Sequence, residues 1–396
     1  MRLLGPGFVA AIAYVDPGNF ATNIAAGSRY GYALVWVIVA ANLMAVLVQY
    51  LSTKLGLVTG KSLPEACRDR YPGPLRWFLW GQAELVAIAT DIAEFLGAAI
   101  ALRLLFGWSA IVAAGVTAVA ALVMLSVQQR GYRAFEILIA GFMTVIAASF
   151  AVMLLGTRAD LGELIHGLRP SVPGDGLLLI VGIVGATVMP HVVYLHSALV
   201  TDRIATPDDA SRRRLLRFMG LDVVLAMILA GAVNLAMLVF AAAALHGTGT
   251  APAETLDQAH ATILATLGVV PAAALAVALL ASGLSSSSVG TLAGQVIMQG
   301  FVDRRIPLGV RRSVTMAPAV VVLIVGVEPT TVLILSQVVL SFGIPFALIP
   351  LVHLTSSRRL MGPFANGWRI AGLAGFVAVI VIGLNVWLLA ATLGLG

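Results

Sequence analysis

Cysteine occurs once in these 396 residues, at Cys67, so one copy of the chain can build neither an internal disulfide nor a cysteine metal cluster. Charge is also scarce: Asp, Glu, Lys and Arg together make up 11%. No G-x-x-x-x-G-K-S/T loop is present, which argues against nucleotide-driven pumping. The loops are too short to hold a soluble output domain of the kind a metal-sensing receptor usually carries. Ser285, Ser286, Ser287 and Ser288 form the one obvious run of hydroxyls. They lack the placed base and orienting acid that a hydrolase needs, and small residues in membrane helices serve first for close packing. No enzymatic activity and no cofactor are expected.

What abounds is apolar. Hydrophobic residues make up 60% of the chain and mean hydropathy is +1.00, the composition of a polytopic membrane protein. Stretches able to cross about 30 Å of hydrocarbon as helices fall near 5–27, 31–57, 75–105, 108–128, 133–156, 177–200, 215–245, 258–300, 311–327, 330–356 and 367–395, eleven in all, the eighth carrying a loop-side extension. The first stretch shows no small-residue cleavage site and is expected to stay in the mature protein. A net charge of +6 does not point to nucleic acid, because the basic residues sit in short loops. With the N-terminus inside, twenty of the 24 Lys and Arg residues fall on inner loops, and only Arg29, Arg103, Arg158 and Arg169 fall outside. That bias predicts a cytoplasmic N-terminus and an external C-terminus in the plasma (inner) membrane.

The first and sixth stretches share a peculiarity. "DPGN" at 16–19 interrupts one and "ATVMPHVV" interrupts the other, with the second break at 186–191. Matched breaks near the middle of corresponding helices point to inverted repeats with a binding site at the bilayer midplane. The predicted organisation is a first repeat over 1–156, a second over 157–356 and one extra helix over 357–396. Proline removes a donor and glycine eases non-helical dihedrals, so each break exposes carbonyls that must face protein, water or an ion. Asp16 adds one anionic oxygen and Asn19 a neutral one, a cation site of one formal charge. Met189 stands at the second break, and its soft thioether suits a first-row transition metal such as Mn²⁺ or Fe²⁺ better than Mg²⁺ or Ca²⁺. Broken helices alone do not name a substrate, and a carrier for an amino acid or another cation has the same architecture. An amino-acid carboxylate would need donors, whereas this site offers acceptors.

A second constellation lies in the third stretch. Glu84, Asp91 and Glu94 share roughly one helical face. Three carboxylates there would repel one another if all were ionised, so the set is expected to exchange protons. His191 and His196 follow the second break a little over one turn apart and add groups that titrate near neutral pH. Asp16 must be deprotonated to bind metal, which links metal arrival to proton release at one residue.

The paired "DPGN" and "MPH" resemble the signature of the natural resistance-associated macrophage protein (Nramp) family of proton-coupled divalent metal transporters. "ELVAIATDIAEFLGA", "ASGLSSSSVGTLAGQ" and "LSQVVLSFGIPFALIP" are also similar to family segments. The resemblance implies an all-α LeuT-type fold of two inverted five-helix repeats with one extra helix. It implies metal ligands at Asp16, Asn19 and Met189, at the Ala13 and Ala186 carbonyls, and at Gln337, which nears the metal in some conformations. It places Asp91, Glu94, His191 and Arg312 on a polar proton pathway, with Arg203 and Arg311 as further candidates. Relatives thought to carry Mg²⁺ or Al³⁺ depart at the methionine, which this chain keeps. The expected partners are a divalent transition metal ion, protons and the lipid bilayer.

Overall fold

The computed structural model describes residues 5–129, 132–201, 208–247 and 252–394. Arg2, Arg130 and Arg203 lie outside these residues. The chain is helical throughout, with no strand among the described residues. In order, the helices are α1 (Pro6–Ala13), α2 (Pro17–Tyr30), α3 (Val35–Thr59), α4 (Leu63–Arg70), α5 (Gly73–Phe106), α6 (Ala110–Gln129), α7 (Tyr132–Leu155) and α8 (Leu161–His166). There follow α9 (Leu177–Thr187), α10 (Pro190–Leu199), α11 (Asp209–Leu245), α12 (Leu256–Leu267), α13 (Val269–Val302), α14 (Leu308–Val325), α15 (Pro329–Ser356), α16 (Arg358–Met361) and α17 (Trp368–Thr392).

Among the described residues, eight helices are long and apolar enough to cross a membrane, with the α9–α10 pair counted as one. The other expected spans correspond to the broken pair α1–α2, to α6 and to α14, which carries Arg311 and Arg312. The eighth expected segment needs correction, because 258–300 is two helices. Gly268 separates α12 from α13 at φ +88, a conformation that L side chains rarely adopt. The short helix α4 begins at a capping box in which Ser62 and Glu65 satisfy each other's backbone donors.

Not every proline breaks its helix. Pro318 leaves α14 continuous, and Pro345 and Pro350 leave α15 continuous. Pro345 deprives the Ser341 carbonyl of its usual partner one turn on. Asn385 of α17 supplies a replacement from its Nδ2 at 2.9 Å, while the Ser341 hydroxyl donates to Asn385 Oδ1 at 2.9 Å. A neighbouring helix thus absorbs the proline, as backbone in lipid requires.

Apolar packing gathers into two large clusters, one mainly on α1, α5, α7, α11 and α13, the other mainly on α3, α9, α15 and α17. Glycines let the broken segments approach closely. A Cβ on Gly97 of α5 would stand 2.1 Å from the Pro17 ring, and one on Gly185 of α9 only 1.9 Å from the Gln337 carbonyl of α15.

Candidate metal site

Both breaks follow from the same local chemistry. The Ala13 carbonyl at the end of α1 would bond the nitrogen of Pro17, and the Ala186 carbonyl in α9 would bond that of Pro190; neither proline has a hydrogen to give. Tyr14, Val15 and Asp16 bridge α1 to α2, while Val188 and Met189 bridge α9 to α10. Other helices satisfy part of the exposed backbone. Asn234 of α11 donates to the Tyr14 carbonyl at 2.7 Å, and Ser282 of α13 donates to that of Val15 at 2.6 Å. The N-terminus of α1 is capped from afar, since the Gly5 and Gly7 amides donate to Asp222 at 3.3 and 2.9 Å. Gly5 and Gly7 therefore let that carboxylate approach, since a Cβ at either would collide with it.

Asp16 is the N-cap of α2 and is 1% exposed. Its Oδ1 accepts from the Asn19 backbone and from Asn19 Nδ2, both at 2.8 Å, and Gln337 Nε2 stands 3.4 Å from its Oδ2. Asn19 Nδ2 also donates to the Ala186 carbonyl at 2.9 Å, which ties the two breaks together. Asp16, Asn19, Ala186 and Gln337 are thereby joined directly. Ala13 lies one turn before Pro17, and Met189, fully buried, is the N-cap of α10 three residues beyond Ala186.

The Asn19 and Gln337 amide oxygens are buried without a hydrogen-bond partner. Two orphaned acceptors beside a carboxylate are costly in a protein interior, and they suit a site that receives a cation. Among the described residues no three His, Cys, Asp or Glu side chains gather at metal-binding range. A cation held here would rely on one carboxylate, with the two amide oxygens and the Ala186 carbonyl beside it.

The acids of α5 are paired unequally. Asp91 bonds Arg312 of α14 at 2.8 Å, with both side chains buried, and Arg312 also donates to Ser287 and, at 3.4 Å, to Thr291 of α13. Glu84 holds Arg311 through contacts of 2.7 and 3.3 Å nearer the surface. Glu94 lies against Gly290 of α13, and neither of its buried oxygens has a hydrogen-bond partner. His191 reaches Thr90 of α5 at 3.3 Å while its Nε2 has none. The His196 ring bonds Thr53 at 3.1 Å and Gln49 at 2.6 Å, and Gln49 continues to the Tyr14 hydroxyl. The serine run joins none of this as a nucleophile, since Ser285 and Ser286 bond carbonyls of their own helix and Ser287 accepts from Arg312.

An all-helical chain with this many apolar spans, in which two proline-broken helices meet around one buried carboxylate, is an integral membrane protein of the LeuT-type fold. The family model described as "Natural resistance-associated macrophage protein-like" matches residues 7–391, and the chain belongs to that Nramp family. Relatives named divalent metal cation transporter MntH are 51% identical in Deinococcus radiodurans, over 100% of this chain and 91% of the relative, and 50% identical in Bacillus subtilis, over 99% and 92%. The crystal structure of a manganese transporter from Eremococcus coleocola, in complex with an aromatic bis-isothiourea substituted compound, superposes with a TM-score of 0.88 at 32% identity, covering 97% of this chain and 85% of that one. The nucleobase-cation-symport transporter Mhp1, 20% identical over 98% of this chain and 93% of its own, matches in fold with a TM-score of 0.64.

Proposed function

We propose that this protein is a secondary active transporter that imports divalent transition metal ions, Mn²⁺ or Fe²⁺, together with protons by alternating access. Cd²⁺, Co²⁺ and Zn²⁺ are further candidates for its cargo. The observation that carries the reading is the joining of the two breaks at Asp16, where one carboxylate sits beside two orphaned amide oxygens and the Ala186 carbonyl. In this reading the ligands are Asp16, Asn19, Met189, Gln337 and the carbonyls of Ala13 and Ala186. A half turn of the Asn19 and Gln337 amides would present oxygen in place of nitrogen. The Met189 thioether favours transition metals over Mg²⁺ and Ca²⁺.

Asp16 must give up a proton to bind metal. Glu94, whose oxygens have no hydrogen-bond partner among the described residues, is the acceptor one turn from the Pro17 contact at Gly97. Asp91 and Arg312 carry the route onward, with Glu84 and Arg311 at its mouth and His191 beside it. His196, with both nitrogens bonded, holds Tyr14 at the break through Gln49. The membrane is the plasma membrane, crossed eleven times, with the N-terminus inside and the C-terminus outside. The repeats run over 1–156 and 157–356.

The test is Mn²⁺ uptake into proteoliposomes at two pH values, with excess Mg²⁺ or Ca²⁺ as competitor. Wild type is expected to take up Mn²⁺ against the competitors, to take up protons with it, and to lose uptake on Asp16→Asn. Met189→Ala is expected to keep uptake but admit Mg²⁺ or Ca²⁺ as an inhibitor. Wild-type rates in the Asp16→Asn protein would overturn the assignment of Asp16, and equal inhibition of wild type by Mg²⁺ would remove the role given to Met189.

A further inference from the structure

Away from the breaks, a cleft of about 550 Å³ opens between the end of α3, the first half of α11 and the turn that follows α16. Its walls carry Lys54, Arg213 and Arg217, and no carboxylate among the described residues lines it. Arg213 and Arg217 are one turn apart on α11, so both guanidinium groups serve the same face. Arg213 sits over the ring of Phe364 at 5.7 Å, and Lys54 Nζ donates to Asn366 at 2.8 Å. The nearby acid Asp209 faces Arg212, at 4.0 Å. Three cations in one concavity focus a positive potential that only an anion relieves.

The floor of the cleft is apolar, with Leu216 and Phe364 buried in a small cluster of their own. The same stretch of α11 then turns outward to the lipid side, with Phe218, Leu221 and Leu225 each about half exposed. A basic rim that runs into an exposed apolar strip at the end of membrane helices matches a phosphate group with acyl chains attached. A soluble phosphate would use the rim and leave the strip idle.

We propose that this cleft binds a phosphate-bearing anion, supplied in the membrane by the headgroup of an anionic phospholipid. The bound phosphate bridges Arg213 and Arg217 to Lys54, and so ties the turn at 362–366 to α11. Native mass spectrometry of the full chain in detergent, with phosphatidylglycerol or phosphatidylcholine added, tests it. Wild type is expected to retain phosphatidylglycerol over phosphatidylcholine by about tenfold, and the Arg213→Gln/Arg217→Gln protein to lose that preference. Arg213→Lys/Arg217→Lys should keep most of it. Arg358→Gln/Arg359→Gln, which removes exposed arginines outside the cleft, should keep all of it.

Thermal shift with inorganic phosphate separates the two sources. A shift in wild type that is absent from the Gln double variant, without retained phosphatidylglycerol, assigns the site to free phosphate. Equal retention of both lipids with no phosphate shift, or equal loss in the Arg358/Arg359 control, overturns the site. An unchanged melting temperature of the Gln double variant without anionic lipid shows that it has folded.

Discussion

Asp16 takes hydrogen bonds from two amides whose own oxygens point nowhere, so each amide can be tested separately. Each variant removes a proposed ligand, but Asn19→Ala also loses a 2.8 Å bond to Asp16 and the tie to the Ala186 carbonyl, whereas Gln337→Ala loses a 3.4 Å contact to Asp16 and a bond to Ser336. Mn²⁺ affinity measured calorimetrically is expected to fall more for Asn19→Ala, by about tenfold or more, than for Gln337→Ala. The reverse order would move Gln337 to the centre of the site. The two arginines of α14 differ in the same way. Arg312→Gln strands Asp91 in the interior and should cost about 3–5 kcal/mol. Arg311→Gln leaves Glu84 closer to water and should cost less. Melting temperatures of the two variants check this ranking.

The helices are held at the break by close approach rather than by large side chains. Gly185 of α9 faces the backbone of α15, so a methyl at that position cannot be accommodated by turning a side chain. Gly18 faces the end of the Gln337 side chain, which can swing aside. Gly185→Ala is therefore expected to abolish uptake by parting α9 from α15, while Gly18→Ala weakens metal binding and leaves the protein folded. Uptake and melting temperature measured together separate the two outcomes. At the Pro345 kink, Asn385→Leu removes the donor that serves the Ser341 carbonyl, and should destabilise the protein by about 1–3 kcal/mol in thermal unfolding.

Across the whole molecule, long-range ties also hold helix ends together. Asp175, before α9, bonds the Tyr30 hydroxyl at 2.6 Å and pairs with Arg29 at the end of α2. The Tyr30 hydroxyl, aided by Arg29, holds the Asp175 carboxyl below the usual carboxylate range. A depressed carboxyl stabilises above its ordinary value, near about 3.9, and the tie is lost only as pH falls through the lower one. Between about pH 5 and 8 its contribution is constant. Asp175→Asn should therefore leave the pH profile of Mn²⁺ uptake unmoved across that range, and a displaced profile would place Asp175 on the proton route.

Much of this was written along the chain. Apolar runs, the bias of arginines between loops and the two proline breaks are local patterns, and lipid leaves a helix as the way to satisfy such backbone, so span positions and the candidacy of Asp16, Asn19 and Met189 follow from sequence. The partners do not. Asn234 and Ser282, which close the carbonyls of the first break, stand 220 and 267 residues from them, with nothing in their neighbours to mark the role. The prolines of α14 and α15 look as disruptive as Pro17, yet those helices run on, and at Pro345 it is Asn385 of another helix that supplies a donor. The split at Gly268 turned on a positive φ that composition does not reveal. Which acid of α5 is paired and which is bare was settled by where α14 docks, because an ion pair depends on distance in space. Local apolar pattern and proline placement set where most of the helices run and where two of them break, because lipid forces each segment to satisfy its own backbone; which groups meet at the breaks depends on distances in space that tertiary packing alone sets.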